Sequence, residues 1–144
     1  MKNLFILLLI CLSAQTYAQD WQAIIQTKNE RNFFGSLFQY QNDDINKCVV
    51  IDGNEHHMLE LLIDNNAEKL ALIAMNERRI DYNKPCGGNT ILMHAIDARN
   101  LELIKRLINK GADVMALNEA GQSALEYAKA TGEAEIYGYL RSRN

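Results

Sequence analysis

Two segments of the chain repeat one another at a fixed offset. The matching pairs are Thr90 with Ser123, Leu92 with Leu125, and Ala95 with Ala128. A period of about 33 residues is typical of stacked-repeat proteins, in which each repeat is too small to bury its own apolar side chains. Neighbouring repeats must cover that surface, so the chain is predicted to contain more copies than these two.

Each repeat has the pattern of two short amphipathic helices. Leu92 and Ala95 are three residues apart, and residues 103–108 carry apolar side chains at i, i+1, i+4 and i+5. Both spacings put the apolar side chains on one side of a helix. The polar pair Arg99-Asn100 lies between the two patterns and suits a tight turn. The repeat is therefore predicted to be a helix-turn-helix unit.

The ends of these helices carry their usual signals. Thr90 and Ser123 stand just before the first helices, where a hydroxyl can accept hydrogen bonds from free backbone N–H groups. Gly111 stands where a second helix should end, a position that favours a left-handed residue. These residues predict where the helices begin and end.

The segment from Gly88 to Val114 resembles the ankyrin repeat. The resemblance implies an all-α fold, a solenoid of about four stacked helix-turn-helix units with finger loops between them. The units are expected at approximately residues 20–47, 53–86, 87–119 and 120–144, and the outer two are atypical. The family's Thr-Pro-Leu-His motif lacks its proline and histidine in every unit, so the hydrogen bonds of that histidine must be lost or replaced. The residues in those two places are Met58 and Glu60, Ile91 and Met93, and Ala124 and Glu126.

The N-terminus has the composition of a secretory signal peptide. A short positive segment with Lys2 precedes the apolar run 4–12, and Thr16 and Ala18 are small residues three and one before a cut. A membrane anchor is the alternative, but the run is about half of the roughly 20 residues that span a bilayer. Lipid anchoring through Cys11 is a weaker alternative. Residues 1–18 are predicted to be removed, leaving residues 19–144 secreted or periplasmic with no stable membrane insertion.

Two cysteines, Cys48 and Cys86, remain after such a cleavage. An even pair in an oxidising compartment favours a disulfide. Each lies in the connection after a repeat, and successive finger loops are neighbours in a stack, so the bond is geometrically reasonable. Two unpaired thiols are the alternative.

Charge and motifs argue against several functions. The 15 basic and 18 acidic residues give a net charge of −3, and no basic stripe is present for nucleic acid. We find no nucleophile motif and no glycine-rich phosphate loop. The three histidines could suggest a metal site, with Asp52 or Asp97 as a further ligand; they are His56, His57 and His94. Against this, His56 and His57 are adjacent and should point in different directions, whereas a metal needs convergent ligands. No enzyme, cofactor or metal site is therefore predicted, and the histidines are interpreted as solvated residues at a helix start.

The ankyrin resemblance instead implies binding of another protein through the concave face of the stack. Equivalent offsets in successive units place candidate partner-binding residues in columns on that face. They are His56, Asp64, Asn65, Glu77, Asn89, Asp97, Lys110, Leu117, Glu119 and Gln122.

The leading hypothesis is an exported interaction module, in a narrower version an inhibitor or immunity-type protein. Two alternatives stay open. One is a small-ligand or metal-binding protein, or an enzyme subunit, that uses His56 and His57. The other is a structural spacer without a binding surface.

Overall fold

A computed structural model describes residues 23, 25–26, 46–77 and 80–144 of the protein. Within them, two short strands precede six helices. The strands are β1 (Val49–Ile51) and β2 (Asn54–His56). The helices are α1 (Met58–Asp64), α2 (Glu68–Glu77), α3 (Ile91–Asp97), α4 (Leu101–Asn109), α5 (Ala124–Thr131) and α6 (Ala134–Arg141). The predicted signal peptide and most of the predicted unit at 20–47 lie outside the described residues.

The helices form three consecutive pairs. Each first helix, α1, α3 or α5, packs against the second helix of its own pair and against the first helix of the neighbouring pair. One continuous core results, with fully buried side chains contributed by every pair, such as Leu59, Leu92 and Leu140. Ile25 is buried in the same core. The described residues thus form a helical repeat fold, and no helix among them is long and apolar enough to cross a bilayer.

The segment before α1 departs from the all-α prediction. β1 and β2 form an antiparallel hairpin, in which Val49 lies opposite His56 and Ile51 opposite Asn54. Asp52 and Gly53 make the turn with φ of 51° and 83°. Two consecutive positive φ angles are the requirement of a type I′ hairpin turn, and Asp-Gly is a preferred sequence for it. The all-α prediction was therefore wrong for this segment.

The finger before α3 docks on this hairpin through Gly87. A side chain at Gly87, whose φ is 64°, would collide with the carbonyl oxygen of Glu55 in β2. The close backbone approach brings the neighbouring residue Cys86 beside Cys48, with 5.6 Å between their Cα atoms. This separation is the usual one for a bonded pair of cysteines.

The predicted helix ends are confirmed in the central pair. α4 ends at Asn109, and Gly111 follows with φ of 110°. The N–H of Ala112 then donates to the carbonyl of Leu107 and closes the last turn. Arg99 makes the turn between α3 and α4 with φ of 53°.

The missing motif histidine is replaced in two pairs and lost in the third. His57 and Ser123 accept hydrogen bonds at the starts of α1 and α5, and Glu60 and Glu126 return a bond to the backbone of the cap residue. This reciprocal pattern is a capping box. Thr90 makes no side-chain cap bond, and its buried hydroxyl has no partner. The return bond is lost as well, because Met93 stands where the glutamate would be. The predicted capping role is confirmed for Ser123 and wrong for Thr90.

This difference predicts that removing the two hydroxyls affects stability differently. Ser123→Ala should lower the free energy of unfolding by about 1 kcal/mol, because the cap bond to α5 is lost. Thr90→Val, which keeps the side-chain shape, should be neutral or stabilising, because it removes a buried hydroxyl that has no partner. Urea denaturation of both variants measures the effect. An equal loss in both would contradict the assignment.

Candidate functional site

Most of the predicted partner-binding residues are accessible. Asp64, Asn65, Asp97, Lys110, Leu117, Glu119 and Gln122 are exposed, and His56 and Asn89 are half-buried. The side chain of Glu77, the last residue of α2, lies outside the described part of the structure. The residues differ, however, in what their side chains already contact.

Polar side chains link each first helix to the next. Nδ1 of His94 in α3 lies 3.3 Å from the carboxylate of Asp64 in α1. One unit further along, the hydroxyl of Tyr127 in α5 lies 2.9 Å from both carboxylate oxygens of Asp97 in α3. Tyr127 is equivalent to His94 by the repeat period, and Asp97 is equivalent to Asp64. The second contact is therefore the counterpart of the first, with a tyrosine in place of the histidine. We call Asp64, His94, Asp97 and Tyr127 the first-helix surface.

The electrostatics of this surface follow from those contacts. Burial alone would lower the pKa of His94, but the hydrogen bond to Asp64 and the charges of Glu60, Asp64 and Asp97 outweigh it, so the pKa is raised. Burial and then the Asp97 carboxylate raise the pKa of Tyr127. Tyr127 thus remains a hydrogen-bond donor at neutral pH, while His94 is more easily protonated than a free histidine.

The finger before α5 extends the first-helix surface. Nδ2 of Asn118 donates to Oδ1 of Asn89 at 3.0 Å, and the N–H of Glu119 donates to the carbonyl of Gly88 at 2.9 Å. The N–H of Gln122 donates to Oδ1 of Asn118 at 2.8 Å. These bonds tie the finger to the start of α3 and leave the side chains of Glu119 and Gln122 exposed.

Two other predicted residues are engaged locally. Nζ of Lys110 lies 3.1 Å from Oδ1 of Asn76, so it links α2 to the end of α4. Nδ2 of Asn65 donates to the carbonyl of Leu61 at 2.9 Å and closes the end of α1. The Lys110 bond therefore links two units, whereas the Asn65 bond stabilises only the end of α1.

The finger before α5 also carries exposed apolar side chains. Leu117 is 56% exposed and Met115 is 46% exposed. Sequence reasoning included Leu117 and missed Met115, although both are large apolar residues of the same connection. An exposed leucine alone is ordinary, whereas two apolar side chains on one finger beside a polar surface resemble the apolar centre of an interface.

The interpretation of the histidines as solvated is wrong for His57. This residue is 1% exposed, and its Nδ1 accepts the N–H of Leu59 at 3.1 Å, so the neutral ring carries its proton on Nε2. Nε2 is buried without a partner. Burial and then the charge of Lys84 lower the pKa of His57 to about 4.

The neighbouring histidine points elsewhere. Nδ1 of His56 lies 2.7 Å from Oε1 of Glu60, on the side of α1 that faces α3. Because the His57 ring is turned into the core, His56 and His57 do not converge on a shared ligand. The alternative that used both rings therefore has no common site in the structure.

The structure instead brings together three groups that the sequence reasoning did not combine. Glu60 and Asp64 are four residues apart on α1, and His94 reaches them from α3, with its Nε2 3.7 Å from Oε2 of Glu60. The i, i+4 spacing of Glu60 and Asp64 predicts that both side chains lie on the same side of the helix. The approach of His94 depends on how two units pack.

Comparisons with known proteins agree with this repeat architecture. A family model described as ankyrin repeats (many copies) matches residues 75–128. An ankyrin repeat protein of fowlpox virus is 46% identical over 46 residues, which are 32% of this chain and 13% of that protein. This chain thus matches only a small part of the viral protein.

Two shorter relatives are covered over most of their length. The Notch-regulated ankyrin repeat-containing protein B of Danio rerio is 33% identical over 87 residues, which are 58% of this chain and 78% of that protein. The Notch-regulated ankyrin repeat-containing protein of Homo sapiens is 32% identical over 84 residues, 56% of this chain and 74% of that protein. Together with the stacked helix pairs and their connecting fingers, these similarities show that the chain belongs to the ankyrin-repeat family, whose repeats are protein–protein interaction modules.

Proposed function

We propose that the protein is an exported ankyrin-repeat module that binds a partner protein through the first-helix surface and the finger before α5. The module has about four units, with residues 20–47 forming the first, and it performs no catalysis of its own. A narrower form of the proposal is an inhibitor or immunity-type protein that sequesters an exported enzyme or toxin.

The proposal is supported chiefly by the exposed apolar side chains of Leu117 and Met115, which lie on a finger next to the exposed acidic residues of the first helices. The two apolar side chains are exposed on one finger, and Asp64 and Asp97 are exposed along the first helices. Apolar contacts at the centre with polar contacts around them are the usual composition of a protein interface.

The charge of the surface indicates the chemistry of the partner. Asp64, Asp97 and Glu119 are exposed, and the nearby His94 is half-buried. Such a surface suits a protein partner that presents basic residues around an apolar contact, because complementary charge speeds association and selects the partner.

The first-helix surface is also held in place before binding. The inter-unit contacts of His94 with Asp64, and of Tyr127 with Asp97, fix these side chains to neighbouring helices. Side chains that are already ordered lose less conformational entropy when a partner binds. The links thus favour a rigid docking surface.

Export is proposed from the N-terminal pattern at residues 1–18 and is supported by the cysteine pair. Cys48 and Cys86 lie side by side, and we propose that they are bonded in the oxidising compartment to which export leads. The mature chain would begin at Gln19.

The test is affinity purification of the protein from its native compartment, with mass spectrometry of the proteins that co-elute. Wild type is compared with Asp64→Lys/Asp97→Lys and with Leu117→Asp. The matched control is Glu102→Lys, an exposed charge reversal on the second helix α4, where Glu102 pairs with the neighbouring Lys105. One stoichiometric partner should be retained by wild type and the control and lost in the other two variants.

Two results would contradict the proposal. Retention of the partner by both surface variants would exclude this surface, since charge reversal at an interface costs several kcal/mol. Absence of any stoichiometric partner from wild type would count against the binding function and favour a structural spacer. Circular dichroism of each variant establishes that the helices are intact.

A further inference from the structure

Three potential metal ligands converge between the first two described helix pairs. Glu60 and Asp64 lie one turn apart on α1, and His94 lies opposite them on α3. One ligand atom from each residue can be chosen so that all three lie within 4.8 Å of one another. The ring of His94 bridges the two acids, with Nδ1 3.3 Å from Asp64 and Nε2 3.7 Å from Glu60.

These separations suit a small divalent ion. Zinc binds imidazole nitrogen and carboxylate oxygen at about 2.0–2.2 Å, which separates neighbouring ligand atoms in a tetrahedral site by about 3.3–3.6 Å. A histidine ring binds one ion through one nitrogen. One ligand atom can be taken from each of Glu60, Asp64 and His94 with all three within 4.8 Å of one another, so small side-chain rotations bring them to the separations of ligands of one ion. Two carboxylates and a neutral imidazole also carry the net negative charge that offsets a divalent cation.

The surroundings hold the ligands in place. The Glu60 side chain is 5% exposed, its Oε1 lies 2.7 Å from Nδ1 of His56, and its Oε2 accepts the N–H of His57 at 2.9 Å. Bonds of this kind to a ligating carboxylate are common around protein metal sites and raise metal affinity. The Glu60 carboxylate is thus oriented toward His94 by the start of its own helix.

His94 has unused bonding capacity inside this cluster. Its Nε2 is buried and has no hydrogen-bond partner, although it faces a carboxylate at 3.7 Å. The side chain as a whole is 15% exposed, and that of Asp64 is 43% exposed, so an ion can enter from the Asp64 side. An ion bound at Nε2, with the exposed Asp64 carboxylate turned from Nδ1 toward it, would satisfy the nitrogen that the protein alone leaves unpaired.

We propose that Glu60, Asp64 and His94 bind one divalent transition-metal ion of the zinc type, with solvent in the remaining position. The site lies at the interface between two units, so the bound ion links α1 to α3. The proposal does not depend on the identity of the protein partner, nor on His57, whose ring points away into the core.

The next unit provides a matched control. Asp97 is equivalent to Asp64 by the repeat period, but it contacts the hydroxyl of Tyr127, which is a poor ligand for zinc compared with histidine. Asp97→Asn therefore removes the same chemical group from the same kind of helix position without removing a ligand.

The experiment titrates the metal-stripped full chain, without an affinity tag, with zinc chloride by calorimetry and with cobalt chloride by visible absorption. Both titrations are run on the oxidised Cys11→Ser protein after thiol titration has found no free thiol, so that Cys48 and Cys86 are bonded to each other and contribute no ligands. Wild-type side chains at the site should bind one equivalent, with the intense visible bands of low-coordinate cobalt. His94→Gln and Asp64→Asn should each weaken binding at least about tenfold, while Asp97→Asn should leave it within about twofold.

A loss of metal binding can be distinguished from a loss of folding. Because Asp64 is exposed, Asp64→Asn should leave the circular dichroism spectrum unchanged, and this variant decides the matter if His94→Gln unfolds. Absence of one-equivalent binding, or unchanged affinity in Asp64→Asn, would overturn the proposal. Equal weakening by Asp97→Asn would show nonspecific attraction to an acidic surface and would overturn it too.

Discussion

Reduction of the Cys48–Cys86 pair should lower the free energy of unfolding by about 4 kcal/mol. The two residues are separated by 38 positions in the sequence, and their Cα atoms lie 5.6 Å apart. A bond between them restricts the unfolded chain, and the chain-entropy relation gives about 4 kcal/mol for a closed loop of this length. For a domain of this size the loss corresponds to a decrease in Tm of roughly 10–20 °C.

The measurement is thermal and urea denaturation of a Cys11→Ser background with and without dithiothreitol. The control is the further variant Cys48→Ala/Cys86→Ala, which should match the reduced protein and should not respond to dithiothreitol. Thiol titration of the denatured, unreduced protein gives an independent result. Two free thiols per chain there, or equal stability with and without the reductant, would show that the bond does not form.

The repeat architecture could be predicted because it depends on local spacing that recurs along the chain. Leu92 and Ala95 define an apolar helix side on their own, and Gly111 adopts the conformation that most other residues avoid. The equivalent residues one period later repeat the argument. A short unit with an apolar side needs neighbours, so the stacking follows from the same residues.

The hairpin before α1 was missed although its signal was present. Asp52-Gly53 follows three β-branched residues and precedes polar ones, which is a strong hairpin pattern. The ankyrin resemblance implied an all-α fold with finger loops between the units, and so no strand was predicted there. Here a local preference for strand is compatible with the repeat, because a finger can be a tight hairpin as easily as a loop.

The polar contacts of the first-helix surface could not be read from the repeat columns. Columns place Asp64 beside Asp97, since the two differ by one repeat period. The observed pairs His94 with Asp64 and Tyr127 with Asp97 are 30 residues apart, diagonal to those columns. Which diagonal neighbours meet depends on how one helix lies against the next, and this is a property of packing between units.

The burial of His57 was missed for a related reason. From sequence alone, a histidine at the start of a helix is expected to be a polar cap residue and therefore to be solvated. In the structure the segment that carries Lys84 and Asp81 lies close enough for both charges to act on the ring. This segment belongs to the connection before α3, so its approach to the start of α1 depends on packing between units.

That burial predicts a loss of stability as the pH falls below 6.5. In the unfolded chain His57 has the ordinary histidine pKa of 6.5, and in the folded protein its pKa is about 4. Between these values the unfolded state binds more protons, so the free energy of unfolding decreases as the pH is lowered. The contribution is fully present above pH 6.5, and about 3 kcal/mol of it is lost once the pH has passed below about 4.

The charged groups around the His57 ring determine which comparison isolates its contribution to the pH dependence of stability. After burial, the charges of Lys84 and His94 lower the pKa of His57, and Asp81 raises it. His94, whose own pKa is raised, acts in the opposite direction: its contribution is present below the ordinary pKa and is lost as the pH rises through the folded value. The total pH dependence therefore mixes both histidines with the carboxylates, and a comparison with a His57 variant is needed.

His57→Ser isolates the buried ring, because serine caps α5 at the equivalent place in the last pair. Urea denaturation from about pH 4 to 7.5, with EDTA present, should give a wild-type curve that falls about 3 kcal/mol further than that of the variant. The matched control His56→Gln changes the adjacent imidazole and should retain the wild-type fall. Parallel curves for wild type and His57→Ser would mean that water reaches the ring or that the cap opens. In either case, the neutral histidine would not be the group that makes the start of α1 sensitive to acid.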